Sequence, residues 1–359
     1  MYLEKINIKK FRVLEDIEVS FQFPSGATAD ATTGNVVNVI AGVNGCGKTS
    51  LLEAIYDPPS KLVSHTKSPY ITPPAAPRPV RHHNRKVYFK FGSMTYRSNN
   101  NAISKGTIEL EHIISGDGLL AKIEGYIRDF VLSIERKSFQ PDPVSRTKEA
   151  IDQFNSLFEG VLLNTKLEAL DSELHSNRPL FCNLNNSGLT IDQLSDGEKQ
   201  LYGKVVGLEM LKLSDSIILI DEAELGLHPA WQQKIVELYL RIGHNNQFII
   251  ATHSPQIIAN TPYQNLIVLY KDGNRIKQLD YRQPPSSVDV NSILSEIMGV
   301  EPLPREVAQL REQYRQFVEK RQENSEAAFA TKAQLLKREG SNSQFMQEMA
   351  FFIDLRDEV

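Results

Sequence analysis

Residues 35–57, NVVNVIAGVNGCGKTSLLEAIYD, constrain this chain more than any other stretch. A β-branched run from Val36 to Ile40 reads as a buried strand, and Leu51, Leu52 and Ile55 share one face of the helix that follows. Between them lies Gly42-Val43-Asn44-Gly45-Cys46-Gly47-Lys48-Thr49, which matches G-x-x-x-x-G-K-[ST] in the strand, loop, helix context the pattern requires. Glycines let such a loop turn its backbone N–H groups inward at a helix N-terminus, where they cradle phosphate. Gly42, Asn44, Gly45, Gly47, Lys48, Thr49 and Ser50 are therefore the candidate phosphate-binding residues. Lys48 is suited to neutralise β- and γ-phosphates, and the Thr49 hydroxyl to meet Mg²⁺.

A loop of this kind stands at the end of a parallel sheet, and the chain supplies the strands. SIILI (216–220), QFIIAT (247–252) and NLIVLY (265–270) are separated by helix-length segments, which predicts an α/β fold with the ligand at the strands' carboxyl ends. The first of them delivers Asp221 and Glu222 side by side. Burying two adjacent acids is costly unless they meet a cation or a proton-transfer task. Asp221 is thus the candidate Mg²⁺ holder, and Glu222 the candidate base that orients and deprotonates an attacking water. Elsewhere, alternation at Ile6, Ile8 and Phe11, then at Ile17, Val19 and Phe21, predicts two paired strands, and VYFKFG predicts another. A helical pattern spans about Ser145 to Leu174, carried by Ile151, Phe154, Leu157 and Phe158. Prolines at 58, 59, 69, 73, 74, 77 and 79 exclude a helix or central strand there and predict an exposed loop.

Leu194 to Gln200, LSDGEKQ, is an S-x-x-E capping box opening an apolar helix. Together with the two preceding motifs it resembles the signature sequence of ABC-type ATPases. The LSDGEKQ form, the strand before DEAELGLHP, the Thr252-His253-Ser254 after QFIIA and the opening INIKKFRVLEDIEVSF resemble the SMC/RecF-like branch, over about residues 1–57 and 190–285. The resemblance implies an ABC-type P-loop ATPase head, with a mostly parallel central sheet, an antiparallel β lobe, a helical lobe and a C-terminal helical tail. It implies ATP and Mg²⁺ as ligands, and ATP-gated pairing of two heads. Ser195 and Gly197, with Glu198 beside them, would contact the γ-phosphate held by the partner head. Glu224 to His228 would form a dimer-facing loop, His253 the switch histidine that joins Lys48 and Glu222 in catalysis, and Gln140 a Mg²⁺-sensing residue between lobes. Two departures stand out. Ala223 follows the catalytic glutamate where family members usually have proline, and Cys46 sits inside the loop, either as a small filler or as a redox-sensitive thiol.

These motifs divide the chain into a nucleotide-binding core at 1–57 and 190–285, an inserted β/helical lobe at 58–189, and a helical region at 286–359. The last carries an apolar stripe, Val307, Leu310, Tyr314 and Phe317, and a second apolar group, Met346, Met349, Phe351 and Phe352. Both are expected either to serve a partner or to pack back onto the head. With 40 Lys and Arg against 44 Asp and Glu, the net charge of −4 does not advertise nucleic acid, so any such contact falls to a local patch. Arg78, Arg81, Arg85 and Lys86 form the candidate patch, with a solvated loop as the alternative. No apolar run is long enough for a bilayer, and two cysteines, Cys46 and Cys182, make no disulfide framework, so a reducing cytoplasm is expected. No sustained heptads predict a coiled-coil arm, and no acidic cluster after His253 predicts a nuclease. The segment VDVNSILSEIMGVEPLPREV (288–307) resembles PtuA-type ATPases of Septu and retron-associated antiviral defence systems, which act with a separate HNH nuclease. A RecF-like repair ATPase that binds DNA directly, or a nucleotide-gated scaffold with little hydrolysis, are the alternatives.

Overall fold

The computed structural model describes residues 2–24, 26–56, 63–66, 86–90, 95–99, 119–161, 163–171, 177–279, 292–299 and 303–357. The chain divides into two compact units, Met1–Ile293 and Leu294–Val359.

Strands β1 (Lys5–Phe11) and β2 (Leu14–Ser20) pair antiparallel, and β4 (Val63–Thr66) joins β1 from the other side. A second, seven-stranded sheet contains β3 (Val36–Gly42), β5 (Lys86–Lys90), β6 (Thr95–Asn99), β9 (Ile217–Asp221), β10 (Gln247–Ala251), β11 (Leu266–Asp272) and β12 (Arg275–Leu279), in the order β12-β11-β3-β10-β9-β5-β6. Its five central strands run parallel, and the two edges are antiparallel. Every residue of β3, β9 and β10 is buried, as expected of parallel strands covered on both faces. Helix α1 (Lys48–Tyr56) lies against both sheets, its Leu51, Leu52 and Ile55 sharing one core with Ile6, Ile8, Leu14, Leu219 and Ile249.

Buried amides clamp the two sheets together. Asn38 on β3 accepts from the Gln22 N–H at 2.7 Å and donates to the Gln22 carbonyl at 2.9 Å. Gln247 on β10 exchanges hydrogen bonds with the backbone of Leu3, both at 2.8 Å. These two buried amides thus meet backbone partners.

The helical part comprises α2 (Leu119–Lys137), α3 (Pro143–Ser156) and α4 (Asp196–Met210), joined by rings of Phe130, Phe154, Phe158, Phe181 and Tyr202. The expected helix from 145 to 174 is shorter than its pattern. It ends at Ser156, and β7 (Lys166–Leu170) pairs antiparallel with β8 (Pro179–Cys182). The Asn155 side chain bonds both the N–H and the carbonyl of Leu167, at 3.0 and 2.9 Å, and so ties the last turn of the helix to a strand twelve residues on. The stretch 58–189 does not stay apart from the core either, because β5 pairs in parallel with β9 and extends the central sheet. The expected loop at 58–79 falls mostly outside the described residues, as do the side chains of Arg78, Arg81, Arg85 and Lys86. Short helices α5 (Pro229–Gln232), α6 (Ile235–Leu240) and α7 (Pro255–Ala259) connect the last strands.

Among the described residues, the second unit contains α8 (Arg305–Glu319), α9 (Glu326–Glu339) and α10 (Gln344–Asp357). Tyr314, Val318, Leu335, Phe345, Met346 and Met349 form its core, and Arg311 grips Glu339 through two bonds of 2.8 and 2.9 Å. The expected second apolar group splits: Met346 and Met349 are buried, whereas Phe351 and Phe352 on α10 are exposed. Among the described residues no helix is long and apolar enough to cross a membrane.

Candidate nucleotide-binding site

The phosphate-cradle loop leaves β3 beside β11, and its first glycine is a geometric necessity. Gly42 has φ 138°, and a Cβ there would lie 2.0 Å from the Leu269 carbonyl oxygen. At Gly47, with φ 88°, a Cβ would meet Leu14 at 2.7 Å. Asn44 and Gly45 form the exposed tip, while Ser50 is buried one turn into α1. The Lys48 ammonium donates to the carbonyls of Gly42 at 2.8 Å and Val43 at 3.2 Å, which holds it over the loop. Burial pulls the Lys48 pKa down, against the attraction of Cys46, Glu224 and Asp221. Cys46 is fully buried beneath the loop, and burial pushes its thiol up despite Lys48 nearby, as suits a packing residue better than a reactive one.

β9 ends beside this loop, separated from β3 by β10 alone. The Thr49 hydroxyl donates to the Asp221 carboxylate at 3.0 Å, so the two residues expected to hold Mg²⁺ meet across 172 positions of sequence. A hydroxyl and a carboxylate oxygen are the hard donors Mg²⁺ takes alongside phosphate and water, so the residues present fit that ion. A third residue joins them that sequence patterns do not reveal. The Tyr88 hydroxyl, on β5, donates to the same carboxylate at 3.3 Å, and burial followed by the Asp221 charge raises its pKa, keeping the proton on the phenol. Tyr88→Phe is expected to raise the Mg²⁺ concentration for half-maximal turnover about tenfold, because the carboxylate loses the bond that orients it. A Mg²⁺ titration of steady-state hydrolysis checks this, and an unchanged midpoint would remove Tyr88 from the site.

Glu222 follows with φ 57°, a left-handed backbone in which a non-glycine residue is strained, and its N–H is fixed to the Ala251 carbonyl at 3.0 Å. Ala223 is fully buried, a position where proline would remove a backbone donor and a large side chain would not fit. Glu224 reaches back to the end of β10, accepting from the Thr252 hydroxyl at 2.7 Å and the His253 N–H at 2.6 Å. It thus fixes the position of His253, whose pKa is lowered by burial and by Lys48, against Glu224, Glu222 and Asp221. Lys48, Asp221, Glu222, Glu224 and His253 therefore belong to one electrostatic neighbourhood.

Ser195 caps α4 and forms the expected box with Glu198. Its hydroxyl donates to Glu198 Oε2 at 2.7 Å, and buried Glu198 also accepts from Thr165 at 2.9 Å. A Cβ on Gly197 would lie 2.9 Å from the Trp231 ring, so glycine permits the close approach there. The bonds of Ser195 run within α4 and not to the cradle loop. In the loop beyond β9, Gly226 adopts φ 73°, and His228 caps α5 by accepting the Ala230 N–H at 3.3 Å. Gln140 is exposed in the turn between α2 and α3, where its N–H donates to Ser138 and its carbonyl accepts from Arg146. These bonds do not bring it to Thr49 or Asp221. A further residue escaped the motifs: Lys204 on α4 is 2% exposed and donates to the Ala223 carbonyl at 2.9 Å. Burial draws its pKa down to about 7, against the attraction of Glu224 and Glu222. Its only sequence signal is a lysine inside an apolar helix, LYGKVVGL.

The chain is similar to several known proteins. The chain is 31% identical over 166 residues to the "Retron Ec83 probable ATPase" of Escherichia coli, covering 39% of this chain and 30% of that protein. It is 20% identical over 312 residues to "Septu protein PtuA" of Bacillus mycoides (strain KBAB4), covering 79% and 42%. It thus spans less than half the length of these curated relatives. Among solved structures, the "SMC head domain from Thermotoga maritima" aligns over 79% of this chain and 100% of that one, at 15% identity and a TM-score of 0.41, too distant to argue from. A family model described as "AAA ATPase domain" matches residues 1–65. The model described as "AAA domain, putative AbiEii toxin, Type IV TA system" matches residues 68–259, more than half of the chain, and the chain belongs to that family.

Proposed function

We propose that the chain binds ATP with Mg²⁺, hydrolyses it, and uses nucleotide-gated pairing of two copies to control a separate effector. The observation that carries the reading is the bond between Thr49 and Asp221, which joins the cradle helix to the strand ending in Glu222. The loop's N–H groups and Lys48 would take the phosphates, and Thr49 and Asp221 would hold Mg²⁺, which when bound supplies positive charge against the phosphate oxygens. Glu222 accepts the proton of the attacking water, its direction set by the strained backbone and by the bond to Ala251. In this reading His253, whose backbone N–H is bonded by Glu224, donates to the developing charge. Ser195 and Gly197 are assigned to the neighbouring copy's γ-phosphate, so a complete site needs two chains.

The defence role rests on the retron and Septu relatives. In this reading the chain is the sensor and regulator of an antiviral complex, its partner a nuclease of the HNH kind, and the helices beyond Leu294 offer the attachment surface. Pairing is tested by sedimentation of Glu222→Gln with and without Mg·ATP. The expected result is a doubled mass only with nucleotide, and an unchanged monomer mass in both conditions would overturn it. Co-purification from cells identifies the effector, and recovery of the chain without any nuclease would count against the regulatory role.

A further inference from the structure

Helix α4 carries Ser195 at its N-cap and, about two and a half turns on, near its middle, the buried Lys204. Gly197, Gln200 and Lys204 occupy i, i+3 and i+7, one face of the helix, and all three meet the segment that follows Glu222. Gly197 approaches Trp231 so closely that a Cβ would sit 2.9 Å from its ring, and a Cβ on Gly226 would sit 2.9 Å from Gln200 Cγ. Lys204 closes the row with its 2.9 Å bond to the Ala223 carbonyl. That carbonyl belongs to the residue between Glu222, held at φ 57°, and Glu224, which fixes Thr252 and His253. The Glu222 backbone is held by its N–H on the Ala251 carbonyl at 3.0 Å and by its carbonyl, which accepts from the Leu225 N–H at 3.1 Å; Lys204 adds a hold on the next residue, from the helix that Ser195 caps.

We infer that Lys204 is a positioning residue for hydrolysis: through the Ala223 carbonyl it holds Glu222 in its reactive backbone conformation, and α4 thereby links the Ser195 end to the catalytic carboxylate. The inference rests on the reading of Glu222 as the base. A second phosphate contact at Ser195 would move or brace α4, and the Gly197–Gln200–Lys204 face transmits that to residues 222–224. The Lys204 bond goes to the Ala223 carbonyl, outside residues 42–49, so its loss is expected to affect the rate and not nucleotide affinity.

Lys204→Met keeps an unbranched side chain, one atom shorter, and removes the donor. The expected result is a kcat lowered about 10–100-fold, the scale of a misplaced catalytic group, with the KM for ATP and the direct affinity for ATP within twofold of wild type. A kcat within twofold of wild type overturns the inference, and so does a parallel loss of kcat and affinity. If Lys204→Met does not fold, Lys204→Gln keeps the buried head polar and is judged by the same criteria. Failure of both to fold makes Lys204 a structural residue and overturns the inference as well. Glu222→Gln, assayed alongside, separates the two readings. If it hydrolyses ATP normally, the base is misassigned; if it is inactive while the Lys204 variants are normal, only the link through α4 fails.

Discussion

Glu222→Gln is expected to bind ATP as tightly as the wild type and to hydrolyse it about 10²–10⁴-fold more slowly, the usual loss on removing a general base. The amide preserves the shape of the side chain and the backbone bond to Ala251, but it cannot accept a proton. Its neighbours stay in place, because Asp221 is held by Thr49 and Tyr88 and Glu224 by Thr252 and His253, none of which depends on the Glu222 charge. Single-turnover hydrolysis and equilibrium nucleotide titration on the same sample check both halves. Wild-type turnover would place the base elsewhere, with Glu224 the next carboxylate to examine.

Lys48→Ala should fail at the earlier step. Lys48 is 5% exposed and its ammonium is held by two loop carbonyls, so the protein keeps a largely desolvated positive charge at the candidate phosphate cradle. A charge-assisted hydrogen bond is worth about 1.5–3 kcal/mol, which converts to a loss of about 10–100-fold in nucleotide affinity. The loop itself should survive, since its turns are set by glycines at 42 and 47 and by the packing of Cys46 beneath them. Calorimetric titration with Mg·ATP reads the affinity, and a thermal melt reads the fold. Full affinity with lost turnover would instead make Lys48 a purely catalytic group.

What was legible in the sequence was legible because it is local. The cradle loop is eight consecutive residues whose turn is dictated by glycine, and the strand and helix on either side announce themselves by period. Asp221 and Glu222 could be named because a strand of four apolar residues ends in two acids, and Ser195 because a capping box needs only residues three apart. The helix across 145–174 shows the limit of the same method. Its apolar spacing is helical to Phe158, but the helix ends at Ser156 and Asn155 binds the backbone of Leu167, a bond that hydrophobic period does not record.

The sequence by itself therefore determined the candidate parts: a loop of the phosphate-cradle pattern, a hydroxyl and a carboxylate suited to Mg²⁺, and an acid proposed to take a proton. Only the tertiary structure decided how they are supported. Tyr88 reaches Asp221 because β5 takes the place beside β9 in the sheet, a choice made by strand order and not by anything within VYFKFG. Glu224 reaches Thr252 and His253 because β9 and β10 are neighbours, with Asp221 opposite Ala251. Lys204 meets Ala223 because α4 lies against the loop that leaves β9. Each of these contacts joins segments through the order and register of a sheet or the packing of a helix on it. Those are fixed by burial of the whole core at once, so no window of residues encodes them.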